Sequence, residues 1–214
     1  MKTAIIGLGN IGKQVAANLI AGGQHVIVAD QSDAKAQAFA KESSGKAKAT
    51  SVAGAMGEAD IIIFAVYFDA IKSLLAEFRS QLAGKIIVDP SNPIAPDGSG
   101  GFKKTIPADQ SAGQILAGLL PPGAKLVKAF GTLAAASLKS GARRSPDPAV
   151  LFYASDDRDA GTAVAALITA SGFAPVRVGG IKDSIRIEVF GDLHELGKLG
   201  KLVSAKEAMA LLQA

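Results

Sequence analysis

Three glycines, Gly7, Gly9 and Gly12, form the turn Gly7-Leu8-Gly9-Asn10-Ile11-Gly12 directly after the apolar run Ala4-Ile5-Ile6 and before a helical pattern that begins at Lys13. That context suits the grip of a dinucleotide pyrophosphate. Gly7 allows a tight strand exit, Gly9 lets the backbone approach the phosphates, and Gly12 lets the helix pack on the strand. The free N–H groups at the helix start then face the anion. An ordinary strand-to-helix turn accounts for one or two of these glycines but not for all three. Asp30 follows 23 residues beyond Gly7, flanked by Ala29 and Gln31. A carboxylate there accepts hydrogen bonds from ribose hydroxyls and repels a 2′-phosphate, which favours NAD(H) over NADP(H). Lys35, one helical turn on, can still answer a phosphate, and Asp30 has a plainer reading as a turn former or helix cap.

Ligands of open α/β sheets sit beyond the carboxyl ends of the strands, so the residues at those ends carry the chemistry. Ala65, Val66 and Tyr67 leave one apolar run, and Asn92 and Pro93 follow another; these line the expected nicotinamide site. Tyr67 or Phe68 can wall the hydride acceptor, with core packing as the alternative for both rings. Gly131 and Thr132 lie at a third strand end on the same crevice. Acid–base groups are scarce. His25 falls at the opposite edge of the sheet, and His194, on an expected late helix, either reaches the cleft or serves as a solvated or capping group. No catalytic residue is assigned, because hydride transfer between two planar rings needs alignment more than proton donors.

The elements that must position these residues alternate strand and helix, which predicts an α/β fold: a Rossmann-type, doubly wound, mostly parallel sheet with a smaller C-terminal α/β part. Strands are expected at 3–6, 25–29, 47–50, 61–66, 85–89, 126–130, 150–154 and 175–178. Helices are expected at 11–21, 32–42, 51–57, 70–80, 111–120 and 157–171, and from Asp183 and Ser204. Residues 1–122 read as the dinucleotide-binding domain and 123–214 as a smaller domain that closes the cleft. Between them the Pro- and Gly-rich stretch 90–101 reads as a long loop. Its Asp97-Lys104 part is either a gate that offers Lys103 or Lys104 to an anionic acceptor or a plain connector.

Composition narrows the function. The 214 residues include no cysteine and two histidines, so disulfide chemistry, thiolate nucleophiles and a protein metal site are not expected. No stretch approaches the about 18 uninterrupted apolar residues of a membrane helix, and the start of the chain does not read as a signal peptide, so a cytoplasmic protein without membrane partners is expected. The net charge of +4 suits anionic ligands, and the basic doublets lack interleaved aromatics, which argues against nucleic acid. Apolar residues crowd 181–190 and 199–212, more than one small domain is expected to bury, and this predicts a homodimer through the C-terminal third.

Taken together, Ile5-Ile6-Gly7-Leu8-Gly9-Asn10-Ile11-Gly12, Ala59-Asp60 with the apolar run to Val66, Gly84-Lys85 through Asp89 to Asn92-Pro93, and Lys128-Ala129-Phe130-Gly131-Thr132 resemble the NADPH:coenzyme F420 oxidoreductase family. These are deazaflavin-dependent NADP oxidoreductases whose fold recurs in the cytoplasmic part of certain membrane metalloreductases. The resemblance covers nearly the whole chain. It implies a nicotinamide and a deazaflavin face to face beneath Val66-Tyr67, Asn92-Pro93 and Phe130-Gly131-Thr132, and it too implies a dimer. Three positions differ from the family pattern: Asp30-Gln31 in place of Ser/Asn-Arg, Tyr67 in place of Pro, and Gly131 in place of Asn. The expected function is hydride transfer between NAD(H) or NADP(H) and a planar small-molecule acceptor, with coenzyme F420, a flavin or a quinone as second substrate. The alternative is a non-catalytic dinucleotide-binding module that senses redox state. A filled pocket behind Tyr67 would favour the module and an open cleft the enzyme.

Overall fold

A computed structural model describes residues 1–213. Strand β1 (Thr3–Ile6) leads into helix α1 (Asn10–Ala21), and the alternation continues with β2 (Val26–Ala29), α2 (Asp33–Glu42), β3 (Ala47–Ala49), α3 (Val52–Glu58), β4 (Ile61–Phe64), α4 (Phe68–Glu77) and β5 (Ile86–Asp89). A small hairpin, β6 (Ile94–Pro96) and β7 (Phe102–Lys104), interrupts it. Then come α5 (Ala112–Ala117), β8 (Lys125–Lys128), α6 (Ala135–Ser140), β9 (Val150–Ala154), α7 (Arg158–Ala170), β10 (Ala174–Gly179), a 3-10 segment (Ile181–Ile187) and α8 (Ala205–Gln213).

One eight-stranded sheet runs in the order β10-β9-β8-β5-β4-β1-β2-β3. From β8 to β3 every pairing is parallel, whereas β9 meets β8 antiparallel and β10 runs parallel to β9. The chain winds from β1 to β2 and β3 on one side and to β4, β5 and β8 on the other, so the strand order reverses between β1 and β4. In open α/β sheets such a reversal is where ligands bind, beyond the carboxyl ends.

The strands read as unbroken apolar runs because both faces are covered. Ile5, Val28, Ile63 and Val88 face one core with Val15, Leu19 and Val164, while Ile6, Ile27, Ile62 and Ile87 face another with Met56, Ile71 and Leu75. A third cluster joins Phe152, Val176, Ile187, Leu193, Val203 and Ala208 at the far edge. This cluster changes the account of the C-terminal apolar residues. Of the eleven expected to exceed what one chain can cover, Ile181, Ile187, Val189 and Val203 are buried and Ile185, Leu199, Leu202 and Leu212 half-buried. Only Phe190, Met209 and Leu211 stay exposed.

The position expected to divide two domains lies in the turn between α5 and β8. Across it, β5 pairs with β8 in register from Ile86–Lys125 to Asp89–Lys128. The 90–101 stretch is not a free loop: Asp97 accepts from the Ser99 and Gly101 amides and closes the β6–β7 turn, whose base is tied by the Thr105 amide to the Pro93 carbonyl. Helix α6 was not expected from sequence, since its six residues are too few to show a period. Among the described residues no helix is long and apolar enough to cross a membrane.

Because one sheet carries both halves, Phe152→Ala should lower stability by about 3–5 kcal/mol in a single urea transition. Far- and near-UV circular dichroism should then report the same midpoint, whereas two separated transitions would mark independently folding halves.

Candidate active site

The glycine turn has the geometry that phosphate binding demands. Gly7 sits at φ +91°, a left-handed conformation that suits glycine. A Cβ at Gly12 would run into the Gly7 carbonyl oxygen and lie 2.8 Å from Ala65 Cβ, so only glycine lets α1 approach β1 and β4 this closely. A Cβ at Gly9 would meet nothing within 4 Å, which leaves open space where a pyrophosphate would lie. No side chain caps α1 at Gly9, so its first amides remain available.

Asp30 ends β2 and pins this turn. Its Oδ2 accepts from the Leu8 amide at 2.7 Å and its Oδ1 from the Ser32 amide at 3.1 Å, while Lys35 Nζ stands 3.4 Å from Oδ2. Burial works to raise its pKa, but these two amides and Lys35 prevail and hold the carboxyl below its ordinary value.

At the next strand ends the expected residues divide. Ala65 and Val66 are half-buried and Tyr67 is 88% exposed beyond β4. Phe68, expected to wall the acceptor, instead starts α4 and packs into the core beside Ile71 and Phe64. Phe130 is likewise fully buried, on the opposite core, with its backbone at φ +64°. The periodicity of 70–80 placed the helix start two residues late, and this left Phe68 free in the sequence reading. Asn92 does not reach out as a free ligand. Its Nδ2 donates to the Gly131 carbonyl at 2.9 Å and its Oδ1 accepts from the Val189 amide at 2.7 Å.

His194 lies in a turn rather than on a helix, and it is 2% exposed. Its Nδ1 accepts from the Leu196 amide at 2.8 Å, which leaves Nε2 to donate to the Gly131 carbonyl at 2.8 Å. Both nitrogens are thus used in the neutral ring, and burial pushes its pKa down. It is a strut for Gly131, not a proton donor to a ligand. Lys104 is also committed, to the Ala108 and Gln110 carbonyls, which leaves Lys103 as the exposed cation of the hairpin.

Sequence reading missed the centre of this network. Lys128, 1% exposed at the end of β8, donates to Asp89 Oδ2 at 2.7 Å and to the Ser91 carbonyl at 2.5 Å, and lies 3.3 Å from Glu188 Oε1. Glu188 accepts in turn from the Ala112 and Gly113 amides that open α5, and Asp89 from the Ser91 amide. Burial disfavours the ammonium, but Asp89 and Glu188 outweigh it and raise the Lys128 pKa. The available signal was a lysine and an aspartate ending two adjacent apolar strands. Ser91 Oγ and Thr132 Oγ1 remain buried without a partner at the same strand ends.

Residues 2–93 match the family model described as NADP oxidoreductase, coenzyme F420-dependent. A hypothetical protein of Sinorhizobium meliloti, SMa0349, is 31% identical over 95% of both chains and superposes with a TM-score of 0.83. This chain belongs to that protein's family. A proposed F420-dependent NADP-reductase of Arthrobacter sp. FB24 is 25% identical, with 86% of this chain and 87% of that chain covered and a TM-score of 0.72. The metalloreductase STEAP3 of Rattus norvegicus is 28% identical over 187 residues, which are 87% of this chain but 36% of the rat protein. The chain therefore spans about a third of that relative. Over these residues it resembles the F420-dependent NADP oxidoreductases.

Two consequences of the buried network can be measured. Lys128→Met strands two carboxylates and should cost about 3–5 kcal/mol. The second concerns His194, whose folded pKa lies below its unfolded value, so the unfolded chain binds more protons between the two. Stability should therefore rise with pH through this window and fall as pH drops below about 6.5. His194→Gln should flatten that slope in urea titrations run from pH 7 to pH 5.5.

Proposed function

We propose that this chain passes a hydride between a nicotinamide dinucleotide, NAD(H) in preference to NADP(H), and a planar acceptor of the deazaflavin, flavin or quinone class. The observation that carries this reading is the pairing of an open phosphate turn at Gly9 with strand ends whose histidine and lysine are already committed to the protein. His194 is consumed by Leu196 and Gly131, and Lys128 by two carboxylates and a carbonyl. An alcohol or ketone substrate needs a positioned proton donor; two stacked rings need only to be held in register.

The dinucleotide supplies the hydride when bound. Around it, the α1 amides face the pyrophosphate, Asp30 accepts from the ribose hydroxyls, and Ala65, Val66 and Pro93 give apolar lining. The unpartnered hydroxyls of Ser91 and Thr132 offer hydrogen bonds at the inner end of the cleft once a side chain there turns. Tyr67 is 88% exposed, so its ring is not packed down over the β4 exit as a plug would be, and this supports the enzyme over the sensing module. The proton that accompanies the hydride on reduction would come from water, which reaches the β4 exit where Tyr67 is exposed. We also expect a cytoplasmic homodimer joined through exposed Leu196, Met209 and Leu211, to be checked by light scattering.

Oxidation of NADH or NADPH coupled to reduction of FMN, coenzyme F420 or menadione tests the reaction, with a primary isotope effect from the 4-deuterated cofactor as the mark of hydride transfer, and no reduction of any of them would overturn it. For the cofactor, calorimetric titration should find NAD(H) bound at least as tightly as NADP(H). Asp30→Asn should move the ratio towards NADP(H) by about tenfold, or about 1.4 kcal/mol. An unchanged ratio would reduce Asp30 to a support for the Leu8 amide.

A further inference from the structure

Two strands of the sheet run against the rest. β9 meets β8 antiparallel and β10 lies parallel to β9, so the carboxyl ends of this pair point to the end of the sheet away from the glycine turn. Their exits then leave to opposite faces. After β9 the chain enters α7, whose Ala160, Val164 and Ile168 pack on the core that holds Ile5 and Ile63. After β10, Ile181 packs on the other core with Leu116 and Leu126. In open α/β sheets, strand exits that part in this way leave a crevice between them, and such crevices take ligands.

A cavity of about 280 Å³ lies at these exits, beside the start of β8. Leu120, Leu126 and Ile181 give it apolar walls, and Lys125, Asp156 and Asp157 stand around it. The three charges are unevenly matched. Lys125 Nζ is 3.1 Å from Asp157 Oδ2, and Asp157 Oδ1 accepts from the Ala160 amide at 2.9 Å as the cap of α7. That amide and Lys125 hold the Asp157 carboxyl below its ordinary value. Asp156 is engaged on one side only: its Oδ1 accepts from the Ile181 amide at 2.9 Å, and among the described residues no donor meets Oδ2. Neighbouring Asp183 is taken by the Gly180 amide, and Arg177 by the Ser155 carbonyl. One carboxylate oxygen is therefore left over beside an apolar wall. The volume is near the lower end of the about 300–1,000 Å³ typical of ligand pockets, which suits a single ring on a short arm.

We propose that this cavity is a second ligand site, which takes a small primary amine with its ammonium on Asp156 and its apolar body against Leu120, Leu126 and Ile181. An ion pair at a half-open rim contributes little by itself, so burial of the body supplies most of the affinity and Asp156 supplies the choice of charge. The site stands at the amino end of β8, across the sheet from Gly9. Its ligand is thus an effector that neither displaces the dinucleotide nor exchanges hydride with it, and the site does not depend on the hydride-transfer reading.

The test is a ligand-observed NMR titration of the full chain with three probes of one shape, 2-phenylethylamine, 2-phenylethanol and 3-phenylpropanoate, with and without saturating NAD+. The amine should bind at least tenfold more tightly than the alcohol and the carboxylate more weakly than either, while NAD+ changes the amine's Kd by less than twofold. Asp156→Asn keeps an acceptor for the Ile181 amide, so its Tm should hold while the amine falls to the affinity of the alcohol. Lys125→Gln releases Asp157 Oδ2 and should tighten the amine. Ala124→Leu, which narrows the same cavity, should weaken amine and alcohol together. Equal binding of amine and alcohol, a tighter carboxylate, an amine displaced by NAD+ or no binding of any probe would each overturn the site. Unchanged amine binding in Asp156→Asn would do the same, and if that variant loses stability, unchanged or weaker amine binding in Lys125→Gln overturns it instead.

Discussion

The Lys128 ammonium, enclosed by Asp89, Glu188 and the Ser91 carbonyl, is the constraint on which the candidate site depends. Removing three charged groups from water is costly, and the arrangement persists because nearly every lone pair is met: Asp89 by the Ser91 amide and Glu188 by the first two amides of α5. In that dry interior each attraction is stronger than it would be at the surface. The cluster therefore acts as a rigid joint between β5, β8, α5 and the segment that carries Phe190. Apolar replacements of equal volume can hold strands together as well. They would not fix the direction in which four chain segments leave the joint.

That direction decides the geometry of the cleft. Just past Lys128 the chain turns left-handed at Phe130 and brings Gly131 against Pro90, where a Cβ would sit 2.5 Å from the Pro90 carbonyl oxygen. Glycine is required at this approach, which explains why this chain carries Gly131 where the resembling family has asparagine. The Gly131 carbonyl then receives both Asn92 Nδ2 and His194 Nε2. Glu195, next to His194, accepts from the Ala134 amide at the start of α6 and from the Ser137 hydroxyl. Polar residues that in sequence look like candidates for direct chemistry thus hold the backbone of two strand exits in a single register. Alignment, the requirement of ring-to-ring hydride transfer, is what such a network provides.

The sheet and the phosphate turn were legible because they rest on local rules. Ile61 to Phe64 can only be a doubly covered strand, and the Gly7, Gly9, Gly12 spacing is dictated by close approach of a helix, a strand and a ligand. The C-terminal third was harder to read. The stretch from Ile181 to Ser204 is built of a 3-10 segment and turns that have no helical period, so His194 was placed on a helix that does not form. The buried ion cluster brings together residues 89, 128 and 188, and a contact between chain positions so far apart leaves no local trace beyond charges at the ends of apolar strands. The hairpin was missed for another reason, since its two three-residue strands lie inside a stretch whose Pro and Gly content reads as loop.

Cofactor discrimination comes down to the Asp30–Lys35 pair. At 3.4 Å apart the two charges form a short dipole, and a ribose 2′-phosphate placed beside them feels repulsion from one and attraction from the other. At about 5 Å in a water-like medium each pairwise interaction is worth only about 1 kcal/mol per unit charge, so the two largely cancel. What does not cancel is the hydrogen bonding. The Asp30 oxygens each hold a backbone amide and retain lone pairs for ribose hydroxyls, whereas a phosphate brings no donor to satisfy them. Lys35 would also have to leave Asp30 to grip the phosphate, and it is half exposed and already partnered. The proposed preference for NAD(H) would therefore come from a buried, pre-aligned acceptor at the end of β2 more than from repulsion, and it should persist at high salt, where screening removes the charge contribution.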